Sequence, residues 1–318
     1  MPDEESQAER MIREAKEEVH KPFTEHPEQD EWRNGYIINP AFGKHWTEAQ
    51  PKKLEGFVTD TFLDKLFLTV TGEILNGIPK VAQLGITGLP SAGKSILIEE
   101  LAVRASHSGK KVVLITSEDR WGTATERFDL QSRCKQKAEL LMLDWSKVLE
   151  NLYVIDVAEL ACLRDWNEFV KTYRFLCEKV KIDLALFDSM TMLEDYRASL
   201  KMRLRELSLY NQEKGITGIY VNQRASEEAD IYSIAGGIGL AHNLDGVIIL
   251  DYMRAYHGDF KQDLGASHLE FVRFVRVLGC RLCGFDVRRH RLEISKEGFL
   301  KMIPNPEPKP EKEKKPKE

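Results

Sequence analysis

The 318-residue chain contains no apolar run approaching the ~20 residues that a membrane-spanning helix needs. It also lacks a surplus of cations. With 46 Lys and Arg against 51 Asp and Glu, the formal net charge is −5, so no global field draws the chain to nucleic acid, although a local basic patch is compatible with that total. Cysteine is scarce and odd in number (Cys134, Cys162, Cys177, Cys280 and Cys283), which argues against a disulfide framework and suits a reducing compartment. The acidic start Met1-Pro2-Asp3-Glu4-Glu5 does not have the character of a secretory signal, so the cytoplasm is the expected location. No internal repeat is visible. What is present, 42% hydrophobic and 31% charged residues, fits one large α/β domain with appendages, or at most two domains.

Against that background one stretch stands out. Gly88-Leu89-Pro90-Ser91-Ala92-Gly93-Lys94-Ser95 fits G-x-x-x-x-G-K-[ST], the P-loop pattern. Gly88 and Gly93 let the backbone turn sharply, so that successive N–H groups face one anion. Lys94 can bring an ammonium to the outer phosphates, and the Ser95 hydroxyl can ligate Mg²⁺. A helix starting there adds its positive end, with Ile96 in its first turn. The flanks agree: Val81 to Thr87 is short and rich in apolar residues, as a buried strand is, and Ser95 to Ala105 has helical composition with neither Gly nor Pro. A nucleoside triphosphate with Mg²⁺ is therefore the expected ligand.

The rest of the chain alternates strands and helices. Residues 1–56 read as an N-terminal arm: a charged opening, then Phe23, Trp32, Tyr36, Phe42 and Trp46 among Pro, Gly and Asn. Strands are expected at Lys110–Thr116, Leu152–Asp156, Ile182–Asp188, Ile216–Gln223 and Gly246–Leu250, then over Leu269–Val277. Arg291–Ile294 and Phe299–Ile303 should form a closing hairpin. Helices are expected from about Thr123 to Lys137, near Leu143–Asn151, over Trp166–Lys179 and over Ala198–Glu213. In the third of these, Cys177 shares its spacing with Phe169, Val170, Tyr173 and Leu176, and so reads as core. Residues 304–318, almost all Pro, Lys and Glu, read as a disordered tail.

Strand–helix alternation implies a mostly parallel sheet with ligands at its carboxyl ends. Ser117, Glu118, Asp119, Asp188 and Gln223 all fall at such ends. Asp188 closes an apolar run and has the form of a Walker B acid that holds Mg²⁺ opposite Ser95. Glu118 is the expected base for the attacking water, and Asp119 is best explained as a helix N-cap. Gln223 can sense the γ-phosphate or simply cap a turn. Cys280-Arg281-Leu282-Cys283 is a lone C-x-x-C; zinc would need two further ligands, of which His290 could be one, and a strand end with two cysteines is the preferred reading.

Over Phe57 to Ile303 the sequence resembles the RecA superfamily of ATPases, in its archaeal RadA-like and KaiC-like branch. Ile115-Thr116-Ser117-Glu118-Asp119 is similar to the strand end bearing that family's catalytic Glu, and Phe187-Asp188-Ser189-Met190-Thr191 to its Walker B segment. Thr125-Glu126-Arg127 is similar to a Pro-Glu-Arg whose Arg lies by the adenine. Glu194-Asp195-Tyr196-Arg197 resembles the region of the first DNA-binding loop. Val221-Asn222-Gln223, then Gly236-Gly237 and Ala241-His242, resemble the flanks of the second. The resemblance implies a RecA-like α/β core over residues 57–303 with a C-terminal β-hairpin. It also implies a homo-oligomeric ring or filament, and a basic residue given in trans, for which Arg276 or Arg281 is the candidate.

Two departures bear on use. Arg224-Ala225-Ser226-Glu227-Glu228-Ala229-Asp230 is acidic where a strand-exchange protein needs cations for phosphates, and no recombinase docking motif is evident in the N-terminal part. A DNA recombination or repair ATPase that binds single-stranded DNA is therefore set beside an ATP-gated switch binding a protein partner, and beside a KaiC-like kinase.

Overall fold

A computed structural model describes residues 52–190, 200–223, 243–255 and 264–304. The readings for the arm as far as residue 51, for Thr191 and Glu194 to Arg197, for Arg224 to Asp230, for Gly236-Gly237 and Ala241-His242, and for residues 305–318 lie outside these. Three short strands come first: β1 (Gly56–Phe57), β2 (Phe67–Leu68) and β3 (Ile78–Pro79). The order then runs β4 (Gln83–Gly88), α1 (Lys94–His107), β5 (Val112–Thr116), α2 (Leu130–Leu140), α3 (Trp145–Asn151), β6 (Leu152–Asp156), α4 (Trp166–Lys179), β7 (Leu184–Asp188), α5 (Leu200–Lys214) and β8 (Thr217–Gln223). It continues through β9 (Gly246–Arg254), β10 (Phe271–Cys280), β11 (Gly284–Phe285), β12 (His290–Ile294) and β13 (Leu300–Met302).

Nine of these strands form one sheet in the order β13-β12-β10-β9-β4-β8-β7-β5-β6. From β9 to β6 all neighbours are parallel, and β10, β12 and β13 add antiparallel on the other flank. The expected closing hairpin is the β12–β13 pair.

The central parallel strands are mostly apolar and buried because both faces are covered. Period-2 alternation divides their side chains between two cores. Val112, Leu114, Leu184, Leu186 and Ile219 pack with Leu97, Ile98 and Leu101 of α1. Val113, Ile115, Ala185, Phe187 and Tyr220 pack with Phe169 and Tyr173 of α4 and Leu204 and Leu207 of α5. Each fully buried Leu or Phe contributes about 1.5–3 kcal/mol. Cys177 belongs to the second core, and burial pushes its thiol up to about 11.

A buried polar chain threads that second core. Tyr173 Oη donates to Asn211 (2.6 Å), Asn211 to Tyr220 Oη (2.9 Å), and Tyr220 Oη to Gln83 Oε1 (2.8 Å). It binds the strand before the P-loop to β8, α4 and α5, and removing one member would leave buried partners unsatisfied.

Two local expectations need correction. The helix expected from Thr123 begins only at Leu130, because the Asp129 carboxylate accepts from Ser132 N–H, capping the helix, and from Thr123 N–H, holding the preceding segment as a loop (both 2.9 Å). Asp119 is therefore not a helix cap; Asp129 is.

Candidate nucleotide site

The P-loop leaves β4 at Gly88, where a Cβ would stand 1.7 Å from the Leu250 carbonyl oxygen, so only glycine lets the loop lie on β9. Ser91 (φ +61°) and Gly93 (φ +110°) then turn the chain back into α1. This helix starts without a side-chain cap and without an acid in its first turn. Its first N–H groups and its positive end thus face the loop without a capping side chain, which is how a helix receives an anion. Lys94 is buried, and its Nζ donates to the carbonyls of Gly88 (2.9 Å) and Leu89 (2.7 Å). Burial pulls its pKa down, opposed by the nearby carboxylates of Asp188, Asp251 and Glu118.

Across the cleft, Thr116 and Asp188 are register partners in β5 and β7, so the two strands end together. Beyond them Ser117 N–H donates to the Asp188 carbonyl (3.0 Å), and Ser117 Oγ to the Ser189 carbonyl (2.8 Å). This stitching places Glu118. Its Oε1 accepts from Ser189 Oγ (2.5 Å) and from Gln223 Nε2 (2.8 Å) at the end of β8. Lys94, Ser95, Glu118, Asp188 and Gln223 line one cavity of about 360 Å³, large enough for a small-molecule ligand. Ser95 and Asp188 line this cavity together, and a hydroxyl beside a carboxylate is an oxygen set suited to Mg²⁺.

Arg127 lies on the carboxylate side. Its guanidinium pairs with Asp119 (2.9 Å), and it lines an adjoining cavity of about 210 Å³ with Glu118, Asp188 and Arg133. Arg133 on α2 joins Asp119 (2.6 Å) to Glu99 on α1 (2.8 Å), so Arg133 tethers α2 both to α1 and to the loop after β5. Arg276 Nε donates to the Val287 carbonyl (3.2 Å), and Arg281 holds Asp245 (3.4 Å) and the Leu244 carbonyl. Among the described residues, no three His, Cys, Asp or Glu side chains gather to hold a metal, and His290 stands against Asp286 (3.1 Å).

Three site residues escaped the sequence reading. Asp251, buried, accepts from Leu89 N–H (3.4 Å) in the P-loop. It ends the run Gly246–Leu250 as Asp188 ends its own, so the signal was there. Glu99 and Arg133 carried none: each sits in a charged helix whose inward face is known only once α1 and α2 pack.

Burial, with Glu118 and Glu99 adding to it, raises Asp188 from the ordinary carboxylate value to about 6. The folded chain then holds this proton more tightly than the unfolded one. The resulting stability is full below the ordinary carboxylate range and is lost as pH rises through about 6. Ligand-free Asp188→Asn protein is therefore expected to be more stable than the parent near neutral pH, by on the order of 2 kcal/mol, with the gain shrinking toward pH ~4. Urea midpoints across that range check this. A gain that grew on acidification would contradict it.

A family model described as "ATPase: KaiC" matches residues 60–307, most of the chain. No curated protein matches it in sequence. Among solved structures, the chain is similar to the KaiC-like protein PH0186 from the hyperthermophilic archaeon Pyrococcus horikoshii OT3. The identity is 16% and the TM-score 0.56, over 79% of this chain and 100% of that one. At that identity the likeness speaks for the fold.

Proposed function

The chain belongs to the KaiC family of ATPases, with the RecA-like fold, and we propose that it hydrolyses ATP with Mg²⁺ in the cleft between the P-loop and the ends of β5, β7 and β8. The observation that carries this is the placement of Glu118, held by Ser189 and Gln223 in the same cavity as Lys94, Ser95 and Asp188. The loop amides from Gly88 to Ile96 and the Lys94 ammonium hold the triphosphate. Ser95 and Asp188 hold Mg²⁺, which when bound neutralises charge on the outer phosphates. Glu118 orients the attacking water and accepts its proton. Gln223 positions Glu118, and as the last residue of β8 it connects the γ-phosphate end of the cleft to the segment after it. Arg127, freed from Asp119, is the candidate contact to the base.

The ATPase domain is placed at 57–303, with the arm before it and the tail after it. A ring or filament of copies would set a neighbour's Arg276 or Arg281 against the triphosphate.

Beside a KaiC-like kinase, two uses of such a site stand foremost: DNA recombination or repair, and an ATP-gated switch that binds a protein. The acidic run Glu227-Glu228-Ala229-Asp230 in the segment beyond Gln223 favours the switch, because carboxylates repel a phosphate backbone. Steady-state hydrolysis with and without single-stranded DNA, at low and moderate salt, separates the two. Slow turnover indifferent to DNA is expected. Stimulation of several-fold that fades with salt would assign the chain to DNA instead.

A further inference from the structure

The turn after β10 carries the C-x-x-C, and its two thiols line neither cavity of the nucleotide site. Cys280 ends β10 opposite Gly246, and Cys283 precedes β11, where Gly284 pairs with Leu68 of β2. Between the two cysteines, Arg281 N–H donates to the Asp245 carbonyl (2.7 Å) while its guanidinium holds the Asp245 carboxylate and the Leu244 carbonyl. The turn is thus fastened at both ends and in the middle. It holds two free, half-buried thiols with their sulfurs 3.6 Å apart. A closing movement of about 1.5 Å would bring them to the ~2.05 Å of a disulfide.

We propose that Cys280 and Cys283 form a reactive dithiol that exchanges with small-molecule disulfides, passing between the reduced pair and an intrachain disulfide. Cys280 attacks one sulfur of the small disulfide. Its S–S bond breaks, one thiolate leaves, and a mixed disulfide remains on Cys280. Cys283 then gives up its proton, attacks the Cys280 sulfur and expels the second thiolate. The small disulfide is reduced to two thiols, which take up the two protons lost by Cys280 and Cys283, and the protein pair is oxidised.

The surroundings assign the two roles. A hydrogen bond from Cys283, together with the N–H groups of Leu282 and Cys283, pulls Cys280 down to about 6 against burial and the Asp245 charge. Giving that bond pushes Cys283 well up. Cys280 is then the thiolate that attacks, and Cys283 the protonated thiol that resolves. Cys134 and Cys177 are buried with raised pKa values and stay inert, while Cys162 is exposed and serves as an internal comparison.

The test equilibrates the full chain with mixtures of reduced and oxidised glutathione, quenches with an alkylating agent and maps the peptides. As the oxidised share rises, the Cys280–Cys283 peptide should lose both alkylation sites together and recover them on reduction. In Cys283→Ser the reaction should stop at one glutathione on Cys280. In Cys280→Ser, Cys283 should take up glutathione more slowly than Cys280 does in Cys283→Ser. A pair that remains doubly alkylated where Cys162 has already gained glutathione would overturn the proposal. So would disulfides found only between chains, or an adduct that forms on Cys283 in Cys280→Ser as readily as on Cys280 in Cys283→Ser.

Discussion

Glu118→Gln is expected to keep ATP affinity while lowering turnover about a hundredfold or more, the usual loss when a general base is removed. The reason is geometric. Glu118 Oε1 accepts from Ser189 Oγ and Gln223 Nε2, and the amide oxygen of Gln can accept both bonds in the same place. The side chain keeps its position and loses only its charge and its capacity to take a proton. Because Glu118 is one of the carboxylates around Lys94 and Asp188, removing its charge also lessens repulsion toward a triphosphate, so affinity is expected to hold or rise. Phosphate release and nucleotide titration on the same preparation check both halves. Hydrolysis at the parent rate would remove Glu118 from the role of base.

Lys94→Ala is expected to act on binding itself, weakening Mg-ATP by about a hundredfold or more. Two charge-assisted hydrogen bonds of about 1.5–3 kcal/mol each support that scale, at about 1.4 kcal/mol per tenfold. In the ligand-free chain the ammonium bonds the Gly88 and Leu89 carbonyls, among the carboxylates of Asp188, Asp251 and Glu118. Without it, the triphosphate would approach three acids and no cation from the loop. Calorimetric titration of Mg-ATP measures the loss. An unchanged affinity with lost turnover would instead make Lys94 a residue of the transition state alone.

The two variants separate because their residues reach the cleft by different routes. Lys94 is delivered by the contiguous loop, and the eight-residue pattern already states the geometry: two glycines, a lysine at the helix start, a hydroxyl next to it. Glu118 is delivered by register. It enters the cleft because β5 ends beside β7, Ser117 bonds Asp188 and Ser189, and β8 brings Gln223 from the other side.

The family resemblance, the α/β core and the strand-end acids were legible in the chain because each depends on local pattern. An apolar run shows where a buried strand ends, and the first residue after it belongs to the carboxyl edge. Asp251 obeyed the same rule and was passed over. The helix expected from Thr123 failed because helical composition says nothing of a side chain that binds backward. Asp129 caps α2 and holds Thr123 at once, which only the folded loop makes visible.

What the sequence alone determined is thus the P-loop pattern and the strand-end acids Glu118 and Asp188. The tertiary structure decided which acids share the cavity. It set Asp119 against Arg127 and Arg133 rather than at a helix cap, buried Glu99, and hung Glu118 on Gln223. The physical reason is that neighbours across a parallel sheet are joined by long crossovers. The contact between Glu118 and Gln223 spans 105 positions of chain and reaches past β7, which lies between β5 and β8, and only the packing of helices on both faces holds such strands in one sheet.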